Sequence, residues 1–237
     1  MIALRSFVFA LFFYTFSTLV ALGMMPLLLA PRTWMVWALR LWCHVTSAAL
    51  AVICDLRIEV RGRQHLPDGA AFIAAKHQCM FDTMAPFGFL PDACLVLKQE
   101  LTKIPFYGWI ALKDRNIVVD REGQAAALRK LVTDSRERMD QARQLMIFPE
   151  GHRMAPGEAP DYKPGVAALY RDLGLPCTPM ATNSGTHWPA HGFIRRPGVM
   201  VFEFLEPIPA GLKRGLFMAE LERRIETACQ ALRDEGI

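Results

Sequence analysis

One feature constrains this chain more than any other: 26 consecutive residues, Ser6 to Pro31, carry no charge and are rich in Phe, Leu and Val. As a single helix they would extend about 39 Å at ~1.5 Å per residue, longer than a ~30 Å hydrocarbon core. A chain of 237 residues holds one ordinary domain and an anchor, but not two comfortable domains. The composition agrees with membrane association, at 52% hydrophobic residues and a mean hydropathy of +0.19. A cleaved signal peptide fits less well. Its basic head would be Arg5 alone, the apolar stretch is too long, and no clear small-x-small site follows.

The stretch from Trp34 to Cys54 is also apolar, but Arg40, His44 and Ser47 fall at i, i+4 and i+7. That spacing places polarity on one helical face, with Trp34, Trp37 and Leu41 elsewhere around it. Tryptophan favours the membrane interface, and Gly23, Pro26 and Pro31 interrupt the first run. Residues 1–55 therefore read as an anchoring helical hairpin. It is either one span plus an interfacial helix or two helices dipping into a single leaflet.

After Asp55 the pattern changes to alternating short strands and helices. Strands are predicted at Leu56–Val60, Ala70–Ala75, Ala93–Leu97, Asn116–Val119, Leu145–Phe148, Cys177–Ala181 and Val199–Phe204. Helices are predicted at Gly123–Arg143 and Val166–Leu173, and again where Phe217, Leu221, Ile225, Ala228 and Leu232 recur. The expectation is an α/β fold over residues 56–237, a mostly parallel sheet flanked by helices. Met154–Gly165 and His187–Gly198 read as surface loops.

Charge and cysteine usage narrow the function. A net charge of +4 gives a mildly basic surface suited to phosphates or an anionic leaflet, without the dense basic-aromatic patch of a nucleic-acid binder. The six cysteines are scattered with no close pair, which argues against a structural zinc site or a disulfide framework.

Ligands of such sheets bind beyond the carboxyl ends of strands, and two polar clusters sit there: His77–Asp82 and Glu150–Arg153. On a continuous helix, positions five apart point about 140° away from each other. If His77 closes a strand and Asp82 lies in the first turn of the next helix, they can meet. An Asp accepting from one imidazole nitrogen fixes the tautomer and leaves the other nitrogen as a base. This is a triad lacking its serine, suited to a hydroxyl that belongs to the substrate. In the second cluster Gly151 lets backbone approach a ligand, and Arg153 offers a fork of donors matched to phosphate. Arg121 and Lys98 are further candidate cations.

Taken together, several segments resemble the glycerophosphate and lysophosphatidic acid acyltransferase superfamily. They are His77-x4-Asp82; Lys98-x-Glu100-Leu101 with Ile104-Pro105 and Gly108; Ile117-Val118-Val119-Asp120-Arg121; Phe148-Pro149-Glu150-Gly151; and Pro179. The resemblance runs from about Leu56 to Pro209. It implies that His77 is the general base and Asp82 its orienting partner. Arg121, Glu150, Gly151 and Arg153 would bind the glycerol-phosphate part of the acceptor. Pro179 shapes the acyl-donor side. It also implies acyl-CoA or acyl-carrier protein as donor, no metal or other cofactor, and no acyl-enzyme.

The implied reaction converts a lysophospholipid, foremost 1-acyl-sn-glycerol-3-phosphate, to phosphatidic acid at the inner membrane. The catalytic domain would face the cytoplasm, on which side Arg32 and Arg40 also fall. Two departures touch the acceptor. Lys76 and Cys79 stand where the family commonly has Asn and Ser, and His152-Arg153-Met154 replaces Thr-Arg-Ser. A different lyso-acceptor, such as a lyso-ornithine lipid, is the alternative. Three rivals lie outside the class: a thiol hydrolase using Cys79 with His77, a metal site of His77, Cys79 and His152, and a membrane-anchored interaction module. No Gly-x-Ser-x-Gly elbow occurs.

Overall fold

The computed structural model describes residues 1–120 and 124–237. Two apolar helices come first, α1 (Ile2–Gly23) and α2 (Arg32–Cys54), joined by a 3-10 turn at Met25–Leu28. Pro26 lies in the first turn of that 3-10 segment and Pro31 is the N-cap of α2, so the break falls where the prolines place it. Both helices are long and apolar enough to cross a membrane, by length and composition.

The rest alternates. It runs β1 (Leu56–Arg61), β2 (Ala71–Ala75), a 3-10 turn at Met80–Thr83, α3 (Pro86–Phe89), β3 (Ala93–Lys98), a 3-10 segment at Gln99–Lys103 and α4 (Tyr107–Lys113). Then follow β4 (Ile117–Val119), α5 (Gln124–Asp140), β5 (Gln144–Ile147), α6 (Gly165–Leu173), β6 (Cys177–Thr182), α7 (Ser184–His187), β7 (Gly198–Phe204) and α8 (Arg214–Asp234). Each strand lies where the alternation predicts it. Helix α5 stops at Asp140, short of the expected Arg143, because Ala142 turns into the left-handed region at φ 57°. That turn sends Arg143 inward to reach Asp92 and the carbonyls of Ala93 and Arg115.

Among the described residues the sheet has seven strands in the order β1-β7-β6-β2-β5-β3-β4. Every neighbouring pair is parallel except β6 with β7. The mostly parallel sheet is thus as expected, with one antiparallel junction. Pro179, which has no N–H to give, sits in β6 just before the pairing with β7 begins at Met180.

Strand β2 is buried along its whole length, as a central strand covered on both faces should be. Ala71, Ile73 and Ala75 face one apolar cluster, which includes Phe9, Phe13 and Leu50 of the hairpin with Phe81, Trp188 and Phe202. Phe72 and Ala74 face the other, filled by Leu131, Leu169, Phe217 and Ile225 of α5, α6 and α8. The hairpin is therefore one of the two helical layers that cover the sheet. Its inner face carries Met35, Leu39, Cys43 and Leu50 at helical spacing, while Phe7, Leu11, Tyr14, Trp34, Trp37 and Val52 point outward.

Polar staples fix the hairpin in place. Trp42 Nε1 donates to Ser17 Oγ at 3.0 Å, and Arg32 pairs with Asp92 and Asp114. Arg40 Nη2 donates to the carbonyls of Leu90 and Pro91 at 3.0 and 2.9 Å. Both arginines are thus turned onto the α/β domain, and His44 stays exposed.

Candidate active site

Adjacent parallel strands β2, β5, β3 and β4 bring their carboxyl ends to one rim, and the polar loops that follow them meet there. They surround a cavity of about 860 Å³. Val96, Leu128, Leu131, Ile147 and Val166 give it apolar walls, and His77, Lys98, Glu150, Gly151, Arg153 and Lys163 line it with polar groups and backbone. An apolar pocket with a few convergent polar groups suits an amphiphile with a charged head.

The His77–Asp82 pair forms as the spacing requires. Past Ala75 the chain turns through the 3-10 turn Met80–Thr83, which brings Asp82 back toward His77. One oxygen, Asp82 Oδ2, accepts from His77 Nδ1 at 3.0 Å and from the backbone N–H groups of Gln78 and Cys79 at 2.6 and 2.8 Å. Asp82 is fully buried, so it holds the imidazole in the tautomer that carries its proton on Nδ1. The ring stacks on Phe148, with centroids 4.3 Å apart, and lines the cavity. Nε2 is left as the proton acceptor.

Glu150 is turned away from the cation role its neighbours supply. Its Oε1 accepts from Lys76 Nζ at 2.6 Å, and Lys76 also donates to Glu226 Oε1 of α8 at 2.7 Å. Tyr162 donates its hydroxyl to the same Glu226 oxygen at 3.0 Å. Burial pulls against the charged lysine, but its bonds to Glu150 and Glu226 outweigh this and raise Lys76 above its usual range. Burial and the neighbouring carboxylates likewise push the Tyr162 hydroxyl up, so it remains a donor. The second oxygen of Glu150 accepts from the His77 backbone N–H at 3.5 Å, and Met154 N–H donates to His77 O at 2.8 Å. The two sequence clusters are thus stapled together through the backbone of residue 77. As a carboxylate already engaged by Lys76, Glu150 positions this loop and does not offer phosphate a donor.

The remaining expected residues divide. Gly151, at φ 71°, makes the turn after β5 that a side chain would resist, and it lines the cavity. Lys98 lines it from the end of β3. Arg153 lines it too, with Nη1 donating to Ala190 O at 3.0 Å. Arg121 lies outside the described residues. Pro179 is buried in β6 and does not line the cavity. Sequence reasoning missed Lys163, paired with Asp161, and His191, which both reach the rim from the two long loops. Lys76 was visible as a departure, but its partner on α8 was not.

The two rival chemistries fare poorly here. Cys79 is wholly buried and donates to Asp82 Oδ1 at 3.4 Å. Burial, reinforced by the Asp82 charge, pushes its thiol well above the usual range, the opposite of a thiolate nucleophile. His152 Nδ1 is bonded to the carbonyl of Glu150 at 2.9 Å. Among the described residues no three metal-ligating side chains converge.

Comparison with known proteins places this geometry. The Acyltransferase family model matches residues 57–183, from β1 to the end of β6 and just beyond. A 1-acyl-sn-glycerol-3-phosphate acyltransferase from Pseudomonas aeruginosa is 32% identical over 185 residues, 78% of this chain and 72% of that protein. A Limnanthes alba protein of the same name is 29% identical over 205 residues, 85% and 72% of the two chains. The crystal structure of a 1-acyl-sn-glycerophosphate acyltransferase from Thermotoga maritima shares the fold, with a TM-score of 0.81 over 98% of both chains at 21% identity. Fold and site together thus define an enzyme of acyl transfer. The chain belongs to the Acyltransferase family.

Proposed function

We propose that this enzyme esterifies the free hydroxyl of 1-acyl-sn-glycerol-3-phosphate, giving phosphatidic acid, with acyl-CoA or acyl-carrier protein as donor. The observation that carries it is a base held by a buried carboxylate, 3.0 Å away, at the mouth of an apolar cavity rimmed by Lys98, Arg153 and Lys163. The names of the relatives from Pseudomonas aeruginosa and Limnanthes alba support the same acceptor.

In this reading the acceptor's phosphate rests against Lys98, Arg153 and Lys163, and its hydroxyl donates to His77 Nε2. As the hydroxyl oxygen attacks the thioester carbonyl, His77 takes the proton, and Asp82 stabilises the imidazolium. A backbone N–H near Gly151 or at the start of the next helix stabilises the developing oxyanion. The tetrahedral centre then collapses: the C–S bond breaks, the ester C–O bond remains, and His77 returns the proton to the departing thiolate. Every proton has a carrier, so the step calls for no metal or other cofactor. Holding two substrates side by side contributes several kcal/mol of the acceleration, on the order expected of positioning.

The outward apolar faces of α1 and α2 support a membrane-bound enzyme, and a thioester donor drawn from the cytoplasm supports an α/β domain on the cytoplasmic side of the inner membrane. The test is a panel of labelled lysolipids, with both donor types, given to the reconstituted protein. The expected outcome is fastest acylation of 1-acyl-sn-glycerol-3-phosphate. A faster lyso-ornithine lipid, to which the His152-Arg153-Met154 departure would then be referred, replaces the acceptor assignment. No acylation of any lysolipid contradicts it.

A further inference from the structure

The α/β domain, as well as the hairpin, turns apolar side chains outward. Between β3 and β4, Ile104, Phe106, Trp109 and Leu112 are 47%, 36%, 49% and 51% exposed. Single exposed apolar residues are ordinary, but four within one short segment form a patch that needs an occupant. The opposite side of α4 fixes where the patch lies. Ile110 is buried against Met24, Met35 and Leu39, so α4 packs beside the hairpin's turn and touches both that turn and α2. The patch is thereby continuous with the outward face of the hairpin, whose Leu29 and Trp34 are 95% and 60% exposed.

The backbone is built to hold this presentation. A Cβ at Gly108 would lie 2.0 Å from the carbonyl oxygen of Thr102, so only glycine lets α4 fold back onto the 3-10 segment. Phe106 occupies the left-handed side of backbone space at φ 64°, a conformation unfavourable for a residue with a Cβ. There its ring meets Trp109 edge-on, with centroids 5.4 Å apart. Charge points the same way. Lys98, Lys103 and Arg115 are exposed around the segment and Lys113 is half-buried, against exposed Glu100. Asp114 is buried and paired with Arg32 and Arg143. Aromatic and apolar side chains rimmed by cations match the headgroup boundary of an anionic leaflet. The same segment starts at the cavity wall, which Lys98 and Leu101 line.

We propose that residues 99–113 are a third membrane-facing element. They lay Ile104, Phe106, Trp109 and Leu112 into the lipid beside the hairpin and so set the mouth of the His77 cavity against the bilayer that supplies the acceptor. This rests on the membrane-acting reading above, but the lipid contact is measured separately from activity. The full chain is reconstituted into phosphatidylcholine–phosphatidylglycerol vesicles whose acyl chains are either unmodified or brominated near the headgroup. Subtracting the fluorescence of Trp109→Phe from that of the parent isolates Trp109, and Trp37→Phe does the same for the hairpin.

Brominated lipid is expected to reduce both difference signals by at least ~2-fold, because both rings sit at the headgroup boundary. Quenching of Trp37 without Trp109 overturns the proposal and leaves the hairpin on the membrane. Quenching of neither overturns both readings. A Trp109 signal shielded by self-association and altered on dilution also overturns it. As a second check, Ile104→Glu with Leu112→Glu is expected to raise KM for vesicle-borne acceptor at least ~5-fold. It should leave turnover of a short-chain, water-soluble lysophosphatidate within ~2-fold, because uniform binding alone is removed. Equal loss on both acceptors would contradict it.

Discussion

At the scale of single residues, the site depends on what one buried carboxylate oxygen is made to do. Asp82 Oδ2 accepts from an imidazole and two backbone N–H groups, so it fixes both the loop and the tautomer. Asp82→Asn keeps the shape but loses the charge that stabilises the imidazolium, and turnover is expected to fall by about 10²-fold or more with KM little changed. Steady-state kinetics on reconstituted protein check this. Cys79→Ser is expected to keep turnover within about threefold, since a hydroxyl can donate to Asp82 as the thiol does. A loss approaching inactivity would revive the thiol mechanism. Lys76→Met strands Glu150 as a buried charge and is expected to cost about 3–5 kcal/mol of stability in denaturant titrations. Adding Glu150→Gln to it should restore part of that loss. The His77–Asp82 pair was legible because a strand end followed by a turn brings positions five apart together. The Lys76–Glu226 contact was not, because its partners lie 150 positions apart and meet only when α8 packs on the sheet.

At the scale of elements, short apolar runs located each strand among the described residues, alternating where one face is half-exposed as in β1 and continuous where both faces are covered as in β2. Helix ends were less legible: α5 ends where Ala142 turns left-handed to deliver Arg143 to Asp92, and that need is tertiary. The short helix α4 also escaped the reading, since its exposed apolar side chains break the usual amphipathic pattern. Its close fold-back can be tested directly. Gly108→Ala drives a Cβ into the Thr102 carbonyl and is expected to destabilise the protein by about 1–3 kcal/mol, as overpacking does. An unchanged denaturation midpoint would mean that the segment yields freely.

At the scale of the whole molecule, the hairpin is a layer of the fold as well as an outward apolar surface. Phe9, Phe13 and Leu50 share one apolar cluster with the sheet, and Arg32 and Arg40 are tied to the start of β3. Deleting residues 1–54 would uncover Phe81, Trp188 and Phe202, so the shortened chain is expected to aggregate and show no cooperative unfolding transition by circular dichroism. A soluble, cooperatively folding fragment would show that the sheet needs no such cover. Sequence alone marked the hairpin as apolar but not which of its side chains face protein, because hydropathy records how apolar a helix is and not what covers it. Above these details stands the claim that an imidazole at position 77 draws the proton from the acceptor's hydroxyl. The most direct measurement is the turnover of His77→Ala in vesicles, with 1-acyl-sn-glycerol-3-phosphate and acyl-CoA, at the same protein level as the parent. A fall of at least ~10²-fold with the fold retained is the expected result, and near-parental turnover would contradict it.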